Sequence, residues 1–248
     1  MTSSVPALAA ALSSRALDLI FPRRCVGCGA FGAFLCASCL AAAPAAAPPR
    51  CPVCWMPVLS EVEGPVLSAA AAARPCLRCR SQPPAFAAAR SAFVYGGAAR
   101  EAVRALKYRG LAALAAEMAR PLAAALDGWA PPVNAVVPVP LAGRRRRLRG
   151  YNQSELLARE LGRLAGIPVA AGALRRLRSS PPQAGAADEA ARRANVAGAF
   201  AAGSSLPDGG ILVVDDVLTT GATLDACARA LRQAGAGPVF ALTFARED

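Results

Sequence analysis

Eight cysteines, set as four C-x-x-C knuckles, are the first residues of this 248-residue chain whose types and spacing could do chemistry. They are Cys25/Cys28, Cys36/Cys39, Cys51/Cys54 and Cys76/Cys79. Two thiolates two residues apart can share one metal across a tight turn, and Gly27 and Gly29 suit the first such turn. Two knuckles complete a four-thiolate tetrahedron of the kind Zn2+ prefers. Sequential pairing places Cys25, Cys28, Cys36 and Cys39 on one ion and Cys51, Cys54, Cys76 and Cys79 on another. Interleaved pairing is open too, because spacing alone does not decide. A disulfide scaffold and an iron–sulfur cluster draw on the same residues and stand as alternatives. Four protein ligands close each site, so the two zinc ions are expected to be structural. The region is small and poor in large apolar residues, so metal binding should supply most of its folding free energy. Cys227 stands apart in a predicted helix and reads as a buried apolar cysteine.

The second constellation is Ile211-Leu-Val-Val-Asp-Asp-Val-Leu-Thr-Thr-Gly-Ala-Thr223. An apolar strand runs straight into two aspartates, then into a hydroxyl-rich turn and a helix. Such a turn aims backbone N–H groups and hydroxyls into one concavity, and Gly221 lets a ligand approach the backbone closely. The helix N-terminus adds partial positive charge, so the concavity suits a phosphate. Asp215 and Asp216 can accept hydrogen bonds from vicinal ribose hydroxyls. The segment is neither G-x-x-x-x-G-K-[ST] nor G-x-G-x-x-G.

The third constellation is basic. Arg144, Arg145, Arg146, Arg147 and Arg149 follow Val136-Val-Pro-Val-Pro140 closely. A pyrophosphate leaving group gains charge in the transition state, and arginines on a loop over residues 144–149 could cover it, with Val139 and Pro140 in the turn beneath. Contact with nucleic acid and a plain solvated surface are alternative uses of the run. Lys107, the only lysine, lies in Ala105-Leu-Lys-Tyr-Arg-Gly110 and is an additional candidate facing pyrophosphate.

These residues need elements to position them. Residues 92–95, 133–137, 211–214 and 238–243 read as strands, being short and mostly rich in Val, Ile or Phe. Residues 99–107, 111–126, 154–165 and 223–234 read as helices. Leu156, Leu157, Leu161 and Leu164 recur at helical spacing and should form one buried face. Alternating strands and helices predict an α/β domain with a parallel sheet, in which Val213–Val214 marks a central strand. Four regions result: an amphipathic helix within residues 1–20, the cysteine-rich region 21–80, a Pro-containing linker 81–90, and the α/β domain 91–248.

The segment 211–223 resembles the signature of type I phosphoribosyltransferases, which bind 5-phosphoribosyl-1-pyrophosphate (PRPP). Val136–Pro140 is similar to the strand and pyrophosphate loop of the same fold. Together with Leu19-Ile-Phe-Pro-Arg-Arg-Cys25, the four knuckles, the lysine motif, Arg149-Gly-Tyr-Asn-Gln153, Pro181-Pro-Gln183 and Arg192-Arg-Ala-Asn195, the chain resembles the ComF family (ComFC/GntX type) from about residue 15 onward. That resemblance implies a double zinc ribbon ahead of a phosphoribosyltransferase domain, a cytoplasmic location and PRPP with Mg2+. It also implies a role in natural transformation or the handling of imported single-stranded DNA. In this reading Asp215 and Asp216 are the catalytic pair, and they bind PRPP with Thr219, Thr220, Gly221, Ala222 and Thr223. Many purine phosphoribosyltransferases carry an aspartate base where this chain has Thr219.

Composition narrows the chemistry further. Without histidine, Ser-His-Asp and Cys-His catalysis are excluded, and so is zinc held by imidazole. The formal net charge is +12. It is uneven: residues 91–200 carry 17 basic and 7 acidic side chains, whereas residues 201–248 carry 3 and 6. A basic middle beside acidic groups suits a polyanion, either a phosphorylated metabolite or nucleic acid. The apolar run 111–130 is interrupted by Glu117, Arg120, Pro121 and Asp127, so no membrane span is expected. Residues 5–20 read as an amphipathic helix rather than a signal peptide. Two functions stay in play: a phosphoribosyltransferase whose acceptor the residues do not name, or a non-catalytic module that binds PRPP or nucleic acid as a platform for DNA-uptake partners.

Overall fold

In a computed structural model of the chain, the residues described are 22–58, 74–178, 196 and 198–248. The expected N-terminal helix, Pro181–Gln183 and Arg192–Asn195 lie outside them. The strands are β1 (Ala88–Val94), β2 (Ala135–Pro138), β3 (Leu174–Arg176), β4 (Phe200–Ala202), β5 (Ile211–Leu218) and β6 (Val239–Arg246). The helices are α1 (Ala37–Ala42), α2 (Leu77–Ser81), α3 (Gly97–Tyr108), α4 (Leu114–Trp129), α5 (Gly143–Arg149), α6 (Gln153–Ala165) and α7 (Ala222–Gln233).

Four strands form a parallel sheet in the order β1-β6-β5-β2. A parallel strand covered on both faces must be apolar on both. Leu212 and Val214 of β5 enter one core with Val136, Leu242 and Phe244, beneath α4 and α6. Ile211 and Val213 enter the other with Val137, Val239 and Ala241, beneath α7 and the antiparallel β3–β4 hairpin. The expected helix 154–165 is α6, which begins one residue earlier. Its N-cap is Asn152, whose side chain accepts from the Ser154 N–H at 3.2 Å.

Four features depart from the sequence expectation. β5 runs on through Asp215 and Asp216 to Leu218 rather than ending at residue 214. Leu164, expected on the buried face of α6, is exposed. β1 starts at Ala88, so residues 88–90, read as linker, are paired with β6. The arginine run is a helix rather than a loop. Arginine is a good helix former, and Gly150, at φ +85°, supplies the left-handed residue that ends the helix.

The cysteine-rich segments join both cores. Cys25, Leu35 and Ala43 pack into the first, and Val53 packs against the second. Arg246 of β6 is fully buried and donates to the Cys54 carbonyl at 2.7 Å. Arg50 forms a bidentate pair with Asp248, at 2.8 and 2.7 Å.

Candidate functional site

The eight expected metal ligands form two groups, in the sequential pairing. Within each group the four sulfurs lie within 4.8 Å of one another. A tetrahedron with Zn–S bonds of about 2.3 Å has edges of about 3.8 Å. Cys28 Sγ and Cys36 Sγ are 3.6 Å apart, and Cys54 Sγ and Cys76 Sγ 3.7 Å apart. Each knuckle is braced by the next, since Cys36 N donates to Cys25 Sγ and Cys76 N to Cys51 Sγ, both at 3.3 Å. Within the first site the thiols perturb one another. The Ser38 hydroxyl holds the Cys36 thiol down to about 6, and the neighbouring Cys36 sulfur pushes Cys39 up to about 12. Four thiols this close ionise together only around positive charge. Both sites therefore fit Zn2+ with all four positions closed.

A cleft of about 850 Å3 opens at the carboxyl ends of β2 and β5. Open α/β sheets bind ligands at this edge. Asp215, Asp216, Val139, Pro140, Thr219 and Thr223 line it, together with Lys107, Arg145 and Arg149. The carboxylates are held from three directions. Lys107 Nζ reaches Asp216 Oδ1 at 2.9 Å. Ser154 Oγ, fully buried at the start of α6, donates to Asp215 Oδ1 at 2.6 Å. The Asp216 backbone N–H donates to the same Asp215 oxygen at 2.9 Å. Asp216 Oδ2 is buried and has no hydrogen-bond partner among the described residues. A buried, unpartnered carboxylate oxygen is costly unless a ligand completes it.

The charges perturb one another. Burial, and then the charge of Asp216, raise the Asp215 pKa to about 6, against the Ser154 hydrogen bond that lowers it. Burial acts to lower the Lys107 pKa, but the adjacent Asp216 and Asp215 charges outweigh it, and the net shift is upward. Lys107 therefore stays a cation against its carboxylates.

The helical arginines divide by face. Arg145 and Arg149, one turn apart, are half-buried on the cleft side, whereas Arg144 and Arg147 are exposed away from it. Four-residue spacing brings side chains onto one helix face. Arg149 donates to Gln153 and lies 5.7 Å from the Tyr108 ring centroid.

The hydroxyl-rich turn also divides. Thr219 and Thr223 open to the cleft. Thr220, Gly221 and Ala222 instead line a second cavity of about 200 Å3, shared with Cys54, Arg78 and Cys79. Gly221, at φ +81°, precedes α7 directly, in a conformation that L-residues rarely adopt.

Sequence reasoning passed over several residues of this site. Ser154 was visible only as a helix residue, although Tyr151-Asn-Gln-Ser154 organises the cleft. Asn152 Nδ2 donates to the Val139 carbonyl at 3.0 Å, and Tyr151 Oη donates to the Leu106 carbonyl at 2.6 Å. The start of α6 is thereby tied to the turn after β2 and to the backbone beside Lys107. Arg176, Tyr95 and Glu247 also line the cleft. Arg176 arrives on the β3–β4 hairpin, which carried no sequence signal.

Comparison with known proteins bears on the class. A model of the double zinc ribbon domain matches residues 16–80, and one of the phosphoribosyl transferase domain matches residues 110–246. The fold, the cleft and the two four-cysteine sites thus define a phosphoribosyl transferase domain carrying a double zinc ribbon. A protein of Haemophilus influenzae described as competence protein F is 38% identical over 104 residues, which span 41% of this chain and 45% of the relative. A protein of Salmonella typhimurium described as DNA utilization protein YhgH is 32% identical over 197 residues, spanning 76% and 80%. Its Escherichia coli K12 counterpart is 30% identical over 171 residues, spanning 66% and 74%. The chain belongs to the ComF family. No described helix is long and apolar enough to cross a membrane.

Proposed function

We propose that the cleft binds PRPP and transfers its phosphoribosyl group to an acceptor. One observation carries this reading. A paired carboxylate sits at the carboxyl end of a buried parallel strand, with one oxygen unpartnered, between a hydroxyl-rich helix N-terminus and a set of cations. Asp215 and Asp216 would accept from the ribose hydroxyls. Thr219 to Thr223, with the N-terminus of α7, would hold the 5-phosphate. Val139, Pro140, Arg145 and Arg149 would face the pyrophosphate, with Lys107 and Arg176 beside them, whereas Arg144 and Arg147 lie off the cleft. The acceptor attacks ribose C1, the C1–O bond to pyrophosphate breaks, and the electron pair leaves with the pyrophosphate. The arginines stabilise that charge as it develops, which is the largest contribution the chain can make to such a reaction. Mg2+ accompanying PRPP fits the acidic pair, because Asp216 offers a free oxygen, and it would compensate charge on the pyrophosphate.

Isothermal calorimetry with PRPP and Mg2+ tests this. The wild type should bind, and Asp215→Asn/Asp216→Asn should bind at least tenfold more weakly. Equal affinity would defeat the assignment. Pyrophosphate release against a panel of nucleobases and amines then separates a transferase from a non-catalytic PRPP-binding module.

A second reading concerns DNA. Arg144, Arg146 and Arg147 of α5 are exposed, and the exposed Tyr108 lies beside Arg149 at the cleft. Guanidiniums beside an exposed ring suit single-stranded nucleic acid. The relatives' descriptions as competence and DNA utilization proteins point the same way, toward single-stranded DNA or DNA-uptake proteins as partners inside the cell. Fluorescence anisotropy with a single-stranded oligonucleotide should show affinity falling steeply with salt. A salt-insensitive signal would remove DNA as a direct ligand.

A further inference from the structure

The turn between β5 and α7 is a wall with two sides. Thr219 and Thr223 face the cleft, while Thr220, Gly221 and Ala222 face the second four-cysteine site across the smaller cavity. Arg78 crosses that gap. It sits on α2 between the ligands Cys76 and Cys79, and its guanidinium donates to the Thr220 carbonyl. The carbonyl of Arg78 in turn accepts from Gln82 N at 2.8 Å and from Ser81 Oγ at 3.2 Å, which fixes its own backbone. The segment after α2 is pinned to the same helix, since Ala85 N donates to Asp225 Oδ1 at 2.7 Å. Phe86 comes up against Gly221 from the same side.

Geometry gives this contact a consequence. Across a trans peptide the C=O and the following N–H point in opposite directions. Holding the Thr220 carbonyl toward the cysteine site therefore turns the Gly221 N–H away from it, along the wall that Thr219 and Thr223 line. A charge-assisted hydrogen bond is roughly twice as strong as a neutral one, so it can fix a peptide that left-handed Gly221 would otherwise leave free to rotate. The first four-cysteine site is tied elsewhere, to α4, where Glu117 accepts from Phe34 N at 3.1 Å and from Leu35 N.

We propose that Arg78 is a positioning residue for the phosphate loop, so that zinc in the second ribbon sets the cleft's affinity for a 5-phosphorylated ribose. The affinity half of this rests on the reading of residues 219–223 as the 5-phosphate cradle; the latch itself does not.

The test uses the full-length, zinc-loaded protein with Arg78→Ala and Arg78→Lys. Zinc content should remain two per chain in both. Amide hydrogen exchange over residues 219–225 should accelerate in Arg78→Ala and return partway in Arg78→Lys, whose ammonium can still donate. Affinity for PRPP and for ribose 5-phosphate should fall about tenfold in Arg78→Ala, whereas affinity for inorganic pyrophosphate should not change. A merely destabilised protein would lose all three ligands together. Unchanged exchange at 219–225 would overturn the proposal. Faster exchange in the variant, with no PRPP binding even by the wild type, would establish the latch and overturn the reading of the cleft. Should Arg78→Ala lose zinc, Arg78→Gln with two zinc ions retained serves in its place, with the same two outcomes.

Discussion

Replacing Asp215 by asparagine should make the ligand-free protein more stable while weakening its proposed function. Lys107, Asp215 and Asp216 together carry a net charge of −1 in a buried setting. The Asp215 pKa is about 6 when folded against an ordinary 3.8. Each unit of pKa shift corresponds to about 1.4 kcal/mol, so the ionised carboxylate costs the folded state roughly 3 kcal/mol at pH 8. The sign is set by the proton count. Between pH 3.8 and about 6 the folded protein binds the extra proton, so the cost is absent below this window and grows as pH rises through it. Asparagine keeps an Oδ1 that accepts from Ser154 Oγ and from the Asp216 N–H, so neither hydrogen bond is lost. Urea denaturation in the presence of zinc should give Asp215→Asn a gain of about 3 kcal/mol at pH 8, shrinking to about 2 at pH 5.5. Lys107→Met is the control of opposite sign. It leaves two buried carboxylates without their cation and should cost about 3–5 kcal/mol at pH 8. Asp215→Asn equal to or less stable than wild type at pH 8 would refute the charge balance argued for this cleft.

Three further outcomes follow from the geometry. Elemental analysis should find two zinc ions per chain, and a strong chelator should unfold the cysteine-rich segments, seen as loss of near-ultraviolet circular dichroism; one zinc or none would contradict the two four-sulfur groups. Gly221→Ala places a Cβ no closer than 3.5 Å to its neighbours, so its cost should be the φ of +81° alone, about 1–2 kcal/mol by denaturation, accompanied by weaker PRPP binding. Asp248→Ala removes the carboxylate shared by buried Arg50 and Arg246 and should cost about 3 kcal/mol at pH 7. Because the Arg50 hydrogen bonds hold the Asp248 pKa below its ordinary value, that contribution is present above pH 3.8 and fades as pH falls through the lowered value.

What the residues disclosed before folding was whatever is local. The C-x-x-C knuckles, the Asp-Asp pair within a Val-rich strand and the turn ahead of α7 are each contiguous, so their chemistry is written within a few positions. Leucine spacing marked α6 through Leu157 and Leu161, although Leu164 is exposed, and Val- and Ile-rich runs marked β2 and β5. What stayed hidden depends on distant partners. The strand order β1-β6-β5-β2 is fixed by pairings such as Ala88 with Phe240. Arg176 reaches the cleft only because a three-residue strand pairs with another at residues 200–202. Ser154 looks like an ordinary residue of a helix until α6 is placed against β5. The arginine run shows a subtler limit. Five like charges read as a loop over pyrophosphate, yet Gly150 ends a helix that sorts Arg145 and Arg149 from Arg144 and Arg147, and only the sorting says which can meet a ligand.

The same distinction changes what the cysteine-rich region is for. Four knuckles and a proline-containing stretch suggest an appendage on a separate domain, whose zinc would stabilise only itself. The contacts argue otherwise. Arg90 of β1 donates to the Pro52 carbonyl at 2.9 Å and stacks over Trp55, with its guanidinium carbon 4.0 Å from the ring centroid. Ala89 N donates to the Val53 carbonyl at 2.7 Å, and Arg246 is enclosed between β6 and the second zinc site. Separating that site from the sheet would strand a buried guanidinium and expose Val53 and Phe86 to water, each a cost of kcal/mol order. The free energy of binding zinc is therefore shared with the sheet that carries Asp215 and Asp216. A structural metal joined to the sheet that carries the cleft stabilises that sheet by mass action, so depletion of zinc should loosen the cleft before any ligand of the cleft is touched.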